Sequence, residues 1–316
     1  MKNPSLNKKI PSFFIVFSVY ALAFLVGFLI YAVLKYKINI LLITFIADVA
    51  ATLIVWGAGL IFKNSSVYDP YWSVAPVVIV LFWIIIKKTG LSAAVILMLA
   101  VLMIWAARLT LNWALRWKGL KHEDWRYLML KEKSPRTWFL TNLVGINLMP
   151  TVIVFLVLIP LYYSIGYVGR INYLILIGLI ISAAAVIIQT ISDAQMDLFR
   201  KNNAKNNNVK MNTVNKNITT TYIDKGLWRH SRHPNYFGEV MLWWGLWIIQ
   251  MGINPQKWIT VAGPIVMTLL FVFISIPMME KHIIESKPDY LLYKKRVSML
   301  IPWFRIKIDS LKINIK

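Results

Sequence analysis

The sequence predicts an all-α integral membrane protein, built as a single polytopic bundle of about eight transmembrane helices with both termini in the cytoplasm. Of its 316 residues, 58% are hydrophobic and 15% are charged, and the mean hydropathy is +0.61. Soluble domains carry about 25% charged residues. Apolar runs of about 20 residues, which are long enough to cross a bilayer, recur along the chain.

Eight apolar segments are predicted to span the membrane. They cover residues 12–34, 40–62, 71–87, 91–113, 138–163, 171–192, 236–253 and 258–278. The third segment is short and the seventh is rich in tryptophan, so the number of spans is seven if either segment is re-entrant.

Basic residues outside these segments predict the orientation, since cytoplasmic loops carry an excess of Lys and Arg. On this topology, 28 Lys and Arg residues lie on the side of the termini and 6, including Lys87 at the end of the third segment, lie on the other side. We expect an integral membrane protein with its site facing the cytoplasm. The net charge of +22 is explained by topology and by contact with anionic membrane lipids, so no nucleic-acid partner is expected.

The domain organisation is predicted to be simple. Residues 1–39 hold the N-terminal transmembrane helix, residues 40–304 form one membrane domain, and residues 305–316 are a short basic tail. The polar residues 201–219 are predicted to form a flexible cytoplasmic loop. The chain has no cysteine and four histidines, so disulfides are excluded and no metal site is expected.

Polar residues at a spacing of four form two stripes on helices that point toward the cytoplasm. The first stripe consists of Arg108, Asn112 and Arg116, and the second of Gln189, Asp193 and Asp197, followed by Arg200. Ionisable groups within spans generally face a bundle interior or a wet cavity, which indicates a site. The alternative is interhelical hydrogen bonding or a solvated helix end. Asp48 is left outside the predicted site, because it could simply pair with Arg108.

The densest group of polar residues is the segment 226–239, Gly-Leu-Trp-Arg-His-Ser-Arg-His-Pro-Asn-Tyr-Phe-Gly-Glu. Pro234 suits the first turn of a helix. Free backbone N–H groups there, with Arg229, Arg232 and His233, would favour an anionic group such as phosphate. A cap at the membrane interface is the alternative. A second polar segment, residues 280–296, includes His282 and Tyr293 and could instead be a solvated amphipathic tail.

A carboxylate and two phenols enter the third span together in residues 68–76, Tyr-Asp-Pro-Tyr-Trp-Ser-Val-Ala-Pro. Asp69 could cap the helix, with Pro70 at its first position. Alternatively, Asp69 and Tyr71 supply hydrogen-bonding and proton-transfer groups to a substrate. Periodicity does not choose between these possibilities.

Several of these motifs together resemble a bacterial membrane family of unknown function, DUF1295-like, that is related to the steroid 5α-reductases. The resemblance runs from about residue 40 to residue 304. It is carried by residues 68–76, Arg-Leu-Thr-Leu-Asn-Trp at 108–113, Glu-Asp-Trp-Arg-Tyr at 123–127 and Arg-His-Pro-Asn-Tyr-Phe-Gly-Glu at 232–239. The Arg-His-Pro-x-Tyr-x-Gly part is also similar to isoprenylcysteine carboxyl methyltransferases and phospholipid methyltransferases.

The resemblance to steroid 5α-reductases implies an NADPH site and a lipophilic substrate. It implies that Asp69 stands near the family's glutamate, which polarises the substrate carbonyl together with a tyrosine. The expected cofactor ligands are Asp193, Arg200, Arg229, Arg232, His233, Asn235, Tyr236, Glu239, His282 and Tyr293. The expected substrate contacts are Trp72, Trp105 and Asn112. No partner tyrosine stands clearly at the family's position, where Trp105 or Asn112 aligns.

Three functions follow from these patterns. The first is NADPH-dependent reduction of a C=C bond conjugated to a carbonyl in a lipophilic substrate, for which Arg200, Arg229, Arg232 and His282 would supply cations to the phosphates. The second is methyl transfer from S-adenosylmethionine to a lipid or prenylated acceptor. The third is noncatalytic lipid binding or transport.

Overall fold

Helices form nearly all of the described chain, which comprises residues 6–210 and 222–306 of a computed structural model. Within these ranges no β-strand occurs, and a single bridge joins Ser231 to Ser298. The all-α prediction is therefore confirmed.

Seven helical segments in the described ranges are long and apolar enough to cross a membrane. They are Lys9–Leu34, Ile40–Ile61, Ser65–Lys87, Ala93–Arg116, Pro135–Ser164, Tyr173–Ala204 and Pro255–Ser286. The predicted seventh span, 236–253, does form a helix, but its tryptophans and its polar residues, among them Glu239 and Gln250, lower its hydropathy and it is not one of the seven. The cytoplasmic placement of the termini stays a prediction.

The described residues divide into two compact units. The first unit holds the chain up to Ile175 together with Gln250–Gly263, and the second holds Leu176–Ile249 and the residues from Pro264 onward. The helices of the first unit are α1 (Leu6–Leu34), α2 (Ile40–Ile61), α3 (Tyr71–Lys87), α4 (Ala93–Arg116), α5 (Trp125–Lys133), α6 (Trp138–Leu140) and α7 (Met149–Ser164). A π-helical stretch, Thr141–Leu148, connects α6 to α7.

The second unit contains most of α8 (Tyr173–Lys210), α9 (Pro234–Ile253) and α10 (Ala262–Leu269), with all of α11 (Ile276–Ser286) and α12 (Tyr290–Arg296). Because α8 continues to Lys210, residues 201–210 are helical and the predicted loop does not begin at residue 201. Residues 211–219 of that loop lie outside the described residues, as do residues 307–316 of the predicted tail.

Polar side chains in the first unit are satisfied in small groups between helices. The Tyr68 hydroxyl and the Thr52 hydroxyl each lie 2.8 Å from Oγ1 of Thr151. Trp83 Nε1 donates to Oγ1 of Thr44 at 3.0 Å. Hydroxyl pairs of this kind hold membrane helices together, since lipid offers no competing partner.

Close packing of α8 against α9 organises the second unit. A Cβ atom on Gly245 would lie 2.3 Å from Oγ of Ser182 and 2.8 Å from its backbone nitrogen. A Cβ on Gly238 would lie 2.7 Å from the carbonyl oxygen of Ala185. Small residues that allow this approach are typical of membrane helix interfaces.

Candidate functional site

The segment before α9 is anchored to the middle of α8, at Ser192 and Gln195. Gly226 has a φ of +60°, in the left-handed region that favours glycine, and a Cβ there would lie 2.3 Å from the Gln195 side chain. The Leu227 N–H donates to Oε1 of Gln195 at 3.0 Å. Trp228 Nε1 donates to the Ser192 carbonyl at 3.2 Å. These contacts fix the direction in which the following Arg-His-Pro residues leave the loop.

Residues 298–303 hold the same segment from a second direction. The Arg232 N–H donates to the Ser298 carbonyl at 2.9 Å, and Oγ of Ser231 donates to the Leu300 carbonyl at 2.7 Å. The His233 N–H donates to Oγ of Ser231 at 3.1 Å, which satisfies a backbone group just before α9 begins at Pro234. The prediction that Pro234 opens a helix is confirmed.

Glu280 on α11 collects three cationic or potentially cationic side chains, and we call Arg232, His233, Glu280 and Lys294 the charge cluster. Arg232 Nε lies 2.6 Å from Oε1 of Glu280, His233 Nε2 lies 3.2 Å from the same oxygen, and Lys294 Nζ lies 2.8 Å from Oε2. Glu280 is 2% exposed and Arg232 is 8% exposed. Because a buried charge needs a partner, these residues stabilise one another.

Arg232 also donates to the backbone. Its Nη1 donates to the Lys294 carbonyl at 2.9 Å and to the Val297 carbonyl at 2.6 Å. Tyr293 acts in the same region, since its hydroxyl donates to the carbonyl of Trp228 and lies 3.3 Å from that of Ser231. The observed contacts of Arg232 and Tyr293 therefore tie α12 to the segment before α9.

His233 is buried and stacks on Tyr236, with ring centroids 5.4 Å apart and an interplanar angle of 8°. Burial lowers the pKa of His233 below its ordinary value, and the hydrogen bond to Glu280 partly opposes that shift. A neutral imidazole that donates from Nε2 to Glu280 fits this arrangement.

The remaining predicted cofactor ligands lie on α8, α9 and α11, except Arg229, which lies in the segment before α9. Glu239 is buried and accepts a hydrogen bond from Trp243 Nε1 at 3.1 Å, while Asn235, one turn earlier on the same face, is partly exposed. Asp193 and His282 are partly exposed, and Arg200 and Arg229 are exposed. The second unit thus carries all ten predicted ligands, and their roles in cofactor binding stay predictions.

In the first unit, Asp69 does not cap α3. That helix begins at Tyr71 without a side-chain cap. Oδ1 of Asp69 instead accepts a hydrogen bond from the Tyr127 hydroxyl at 2.5 Å. The neighbouring Arg126 pairs with Asp124 at 2.8 Å, and these groups lower the pKa of the Asp124 carboxyl although burial opposes it.

Tyr71 points to a different carboxylate. Its hydroxyl donates to Oδ1 of Asp48 on α2 at 2.8 Å, and both side chains are buried. We call Asp48 and Tyr71 the buried pair. Sequence reasoning noted Asp48 but left it out of the site; its signal was an ionisable residue in a span.

The predicted substrate contacts are spread over α3 and α4. Trp105 is fully buried, whereas Trp72 and Asn112 are partly exposed. Their contact with a substrate stays a prediction. Within the described residues, no three His, Asp or Glu side chains are placed to hold a metal ion.

A cavity of about 180 Å³ lies beside the buried pair in the first unit. It is lined by residues of α1, α2 and α3, among them Phe24, Phe28, Ile43, Ile79 and Phe82. Asp48, Tyr71 and Thr44 also line it. The lining is therefore apolar apart from a few groups that can form hydrogen bonds.

Comparison with known proteins adds a family and one partial match. A family model described as "Protein of unknown function (DUF1295)" matches residues 55–297, which is more than half of the chain. Methanethiol S-methyltransferase 1 of Bradyrhizobium diazoefficiens is 34% identical over 80 residues, so the chain spans 25% of the length of this curated relative, and the match covers 25% of the chain. No solved structure matches the chain significantly.

Proposed function

The chain belongs to the DUF1295 family, and on that premise we propose that it is a membrane enzyme that transfers a methyl group from S-adenosylmethionine to a lipophilic acceptor. The observation that carries this proposal is the 34% identity, over a quarter of the chain, to a protein whose name states S-methyl transfer. The geometry of the second unit supports the proposal in two ways.

First, the second unit offers acidic groups on the two helices that carry the predicted ligands. Asp193 and Asp197 are partly buried on α8, and Glu239 is buried on α9. S-adenosylmethionine has a sulfonium, an ammonium and ribose hydroxyls, which carboxylates suit. These residue types fit the cofactor.

Second, the contacts of Arg232 make a polyanionic cofactor less suitable. Its guanidinium binds Glu280 and two backbone carbonyls at distances of 2.6 to 2.9 Å. Releasing this group to bind a phosphate would leave Glu280 with fewer partners in a buried position. S-adenosylmethionine has no phosphate and makes no such demand.

The chemistry asked of the protein is positioning. S-adenosylmethionine, when bound, supplies an electrophilic methyl group. Asn235 and Glu239, which share one face of α9, would orient the ligand, and the apolar surroundings of α9 would exclude water. The acceptor would gain the methyl group and lose a proton to water, and the cofactor would leave as S-adenosylhomocysteine.

NADPH-dependent reduction is the second candidate, and one observation favours it. Burial lowers the pKa of Lys287, and the nearby charge of Arg200 lowers it further. Two cations near one another suit a phosphate group.

A thermal-unfolding panel on detergent-purified full-length protein separates the two functions. We expect S-adenosylmethionine and S-adenosylhomocysteine to raise the unfolding temperature and NADPH and NADH not to, because a ligand at 100 times its Kd stabilises the native state by about 2.7 kcal/mol. Glu239→Gln should reduce the shift. Glu285→Gln, which changes an exposed residue of the same unit, is the matched control. Stabilisation by NADPH alone would replace the methyltransferase proposal with the reductase.

A further inference from the structure

The buried pair and the cavity beside it carry an inference that is independent of the proposed methyl transfer. From their geometry we propose that the first unit binds a small apolar molecule of about the size of a benzene ring that carries one hydroxyl group, with that hydroxyl donating to the Asp48 carboxylate.

The size of the ligand follows from the cavity. Its volume is about 180 Å³, and its walls are mostly aliphatic and aromatic side chains. An engineered apolar cavity of about 150 Å³ stays dry and binds benzene. The cavity therefore suits a single ring or a short branched chain.

The single hydroxyl follows from the hydrogen bonds of Asp48. Oδ1 accepts from Tyr71 at 2.8 Å, and no other described residue donates to the carboxylate. Carboxylates have about four acceptor positions. Asp48 is 5% exposed and lines the cavity. A ligand donor would meet a buried acceptor that still has capacity, which is the arrangement that fixes orientation in small-molecule sites.

Aromatic packing holds the buried pair in place. The ring of Tyr71 stacks on Phe24 at 6.1 Å with an interplanar angle of 17°, and it meets Tyr20 edge to face at 5.6 Å. Its hydroxyl is therefore directed at Asp48 before a ligand binds. Preorganisation of this kind reduces the entropy lost on binding.

Asp48 is energetically unfavourable within a membrane span, which supports a role in ligand binding. A carboxylate within a membrane span is expensive, and such residues are rarely retained without a functional partner. In the described chain its partner is a phenol and not a cation. If packing were the only role of position 48, an apolar side chain of similar volume would fill it.

The test compares p-cresol with toluene, two molecules that differ by one hydroxyl group, on the full-length protein in detergent without S-adenosylmethionine. Binding is measured by ligand-observed NMR. Both compounds partition into micelles, so the cavity-filling variant Ala47→Leu at matched detergent concentration gives the background. We expect wild-type protein to bind p-cresol at least about tenfold more tightly than toluene, because the hydroxyl of p-cresol donates a hydrogen bond to Asp48 that toluene lacks.

Two further variants make the result decisive. Asp48→Asn should weaken p-cresol about fivefold or more and leave toluene unchanged, whereas Asp124→Asn, in a carboxylate away from the cavity, should change neither. Equal affinity for both compounds in the wild type, or binding that survives in Ala47→Leu, would overturn the proposal. Because no cofactor is present, these outcomes do not depend on the proposed methyl transfer; that proposal fails in the thermal-unfolding panel instead.

Discussion

The two units of this membrane protein each bury a carboxylate, and the two carboxylates differ in the number and charge of their partners. In the second unit, Glu280 lies within 3.2 Å of nitrogen atoms of Arg232, His233 and Lys294. In the first unit, Asp48 has a tyrosine hydroxyl at 2.8 Å and a cavity beside it. The crowded carboxylate fastens chain segments together, and the sparsely bonded one is free to meet a ligand.

The difference teaches that a dense group of charges in a sequence is not by itself a binding site. The Arg-His-Pro segment holds several cations, which predict an anion site, yet Arg232 and His233 are engaged by Glu280. Buried charges need compensation, so a cluster of both signs satisfies itself. An isolated acceptor in apolar surroundings keeps its capacity for an external donor.

The largest expected effect is the loss of Glu280. Glu280→Ala leaves the buried Arg232 guanidinium without its counter-ion, and we expect a destabilisation of about 3 to 5 kcal/mol. Unfolding in a detergent of fixed composition measures it. Lys294→Ala is the control, because the Lys294 side chain is 43% exposed and an exposed ion pair contributes about 0 to 1 kcal/mol. An equal loss of stability in the two variants would show that the charge cluster does not hold the chain segments together.

The next largest effect is expected from close helix packing, which differs between Gly245 in the second unit and Gly57 in the first. Gly245→Ala places a Cβ 2.3 Å from Oγ of Ser182 and should destabilise the protein by about 1 to 3 kcal/mol through overpacking. Gly57→Ala on α2 meets nothing within 4 Å and should be neutral or stabilising by up to about 1 kcal/mol, since alanine favours helix. Thermal unfolding of the two variants measures this difference in stability. A destabilising effect of Gly57→Ala would contradict the open space beside α2.

The pH dependence of stability tests His233. Its effect on the free energy of unfolding is expected to be smaller than that of Gly245→Ala. The pKa of His233 is lowered in the folded protein from an ordinary value of 6.5, mainly by burial. Between the lowered pKa and 6.5, the unfolded chain binds more protons than the folded one, so the free energy of unfolding rises with pH in that window. Stability is therefore full above 6.5 and falls as the pH drops below it.

The measurement for His233 is the unfolding temperature from pH 5 to pH 8 for the wild type and for His233→Gln. The glutamine can keep a hydrogen bond to Glu280 but does not titrate, so the slope below pH 6.5 should become shallower. An unchanged slope would assign the dependence to another group.

The smallest expected effect is in the hydroxyl contacts of the first unit. Tyr68→Phe removes the contact at 2.8 Å with Thr151, and interhelical hydrogen bonds in membrane proteins contribute about 0.6 kcal/mol on average. A double-mutant cycle of Tyr68→Phe with Thr151→Val measures the coupling. A coupling as large as the effect of Glu280→Ala would remove the contrast between the two units.

Features that depend on local sequence were predicted well. The apolar segments became helices, although α8 continues to Lys210 and does not end near residue 192, and Pro234 opens α9 because proline suits the first turn. The motif Glu-Asp-Trp-Arg-Tyr, which contributed to the family resemblance, contains Tyr127, the donor to Asp69. The motif therefore signalled a contact that periodicity did not show.

The sequence by itself determined that the chain is helical, apolar enough to span a membrane at least seven times, and a member of the DUF1295 family, because hydropathy, proline and motif signals act over a few neighbouring residues. Tertiary structure alone decided the partners of the carboxylates. Glu280 meets Arg232 from 48 residues away, Asp69 meets Tyr127 from 58 and Asp48 meets Tyr71 from 23. Helical periodicity states which residues share a face, but which faces meet depends on how whole helices pack.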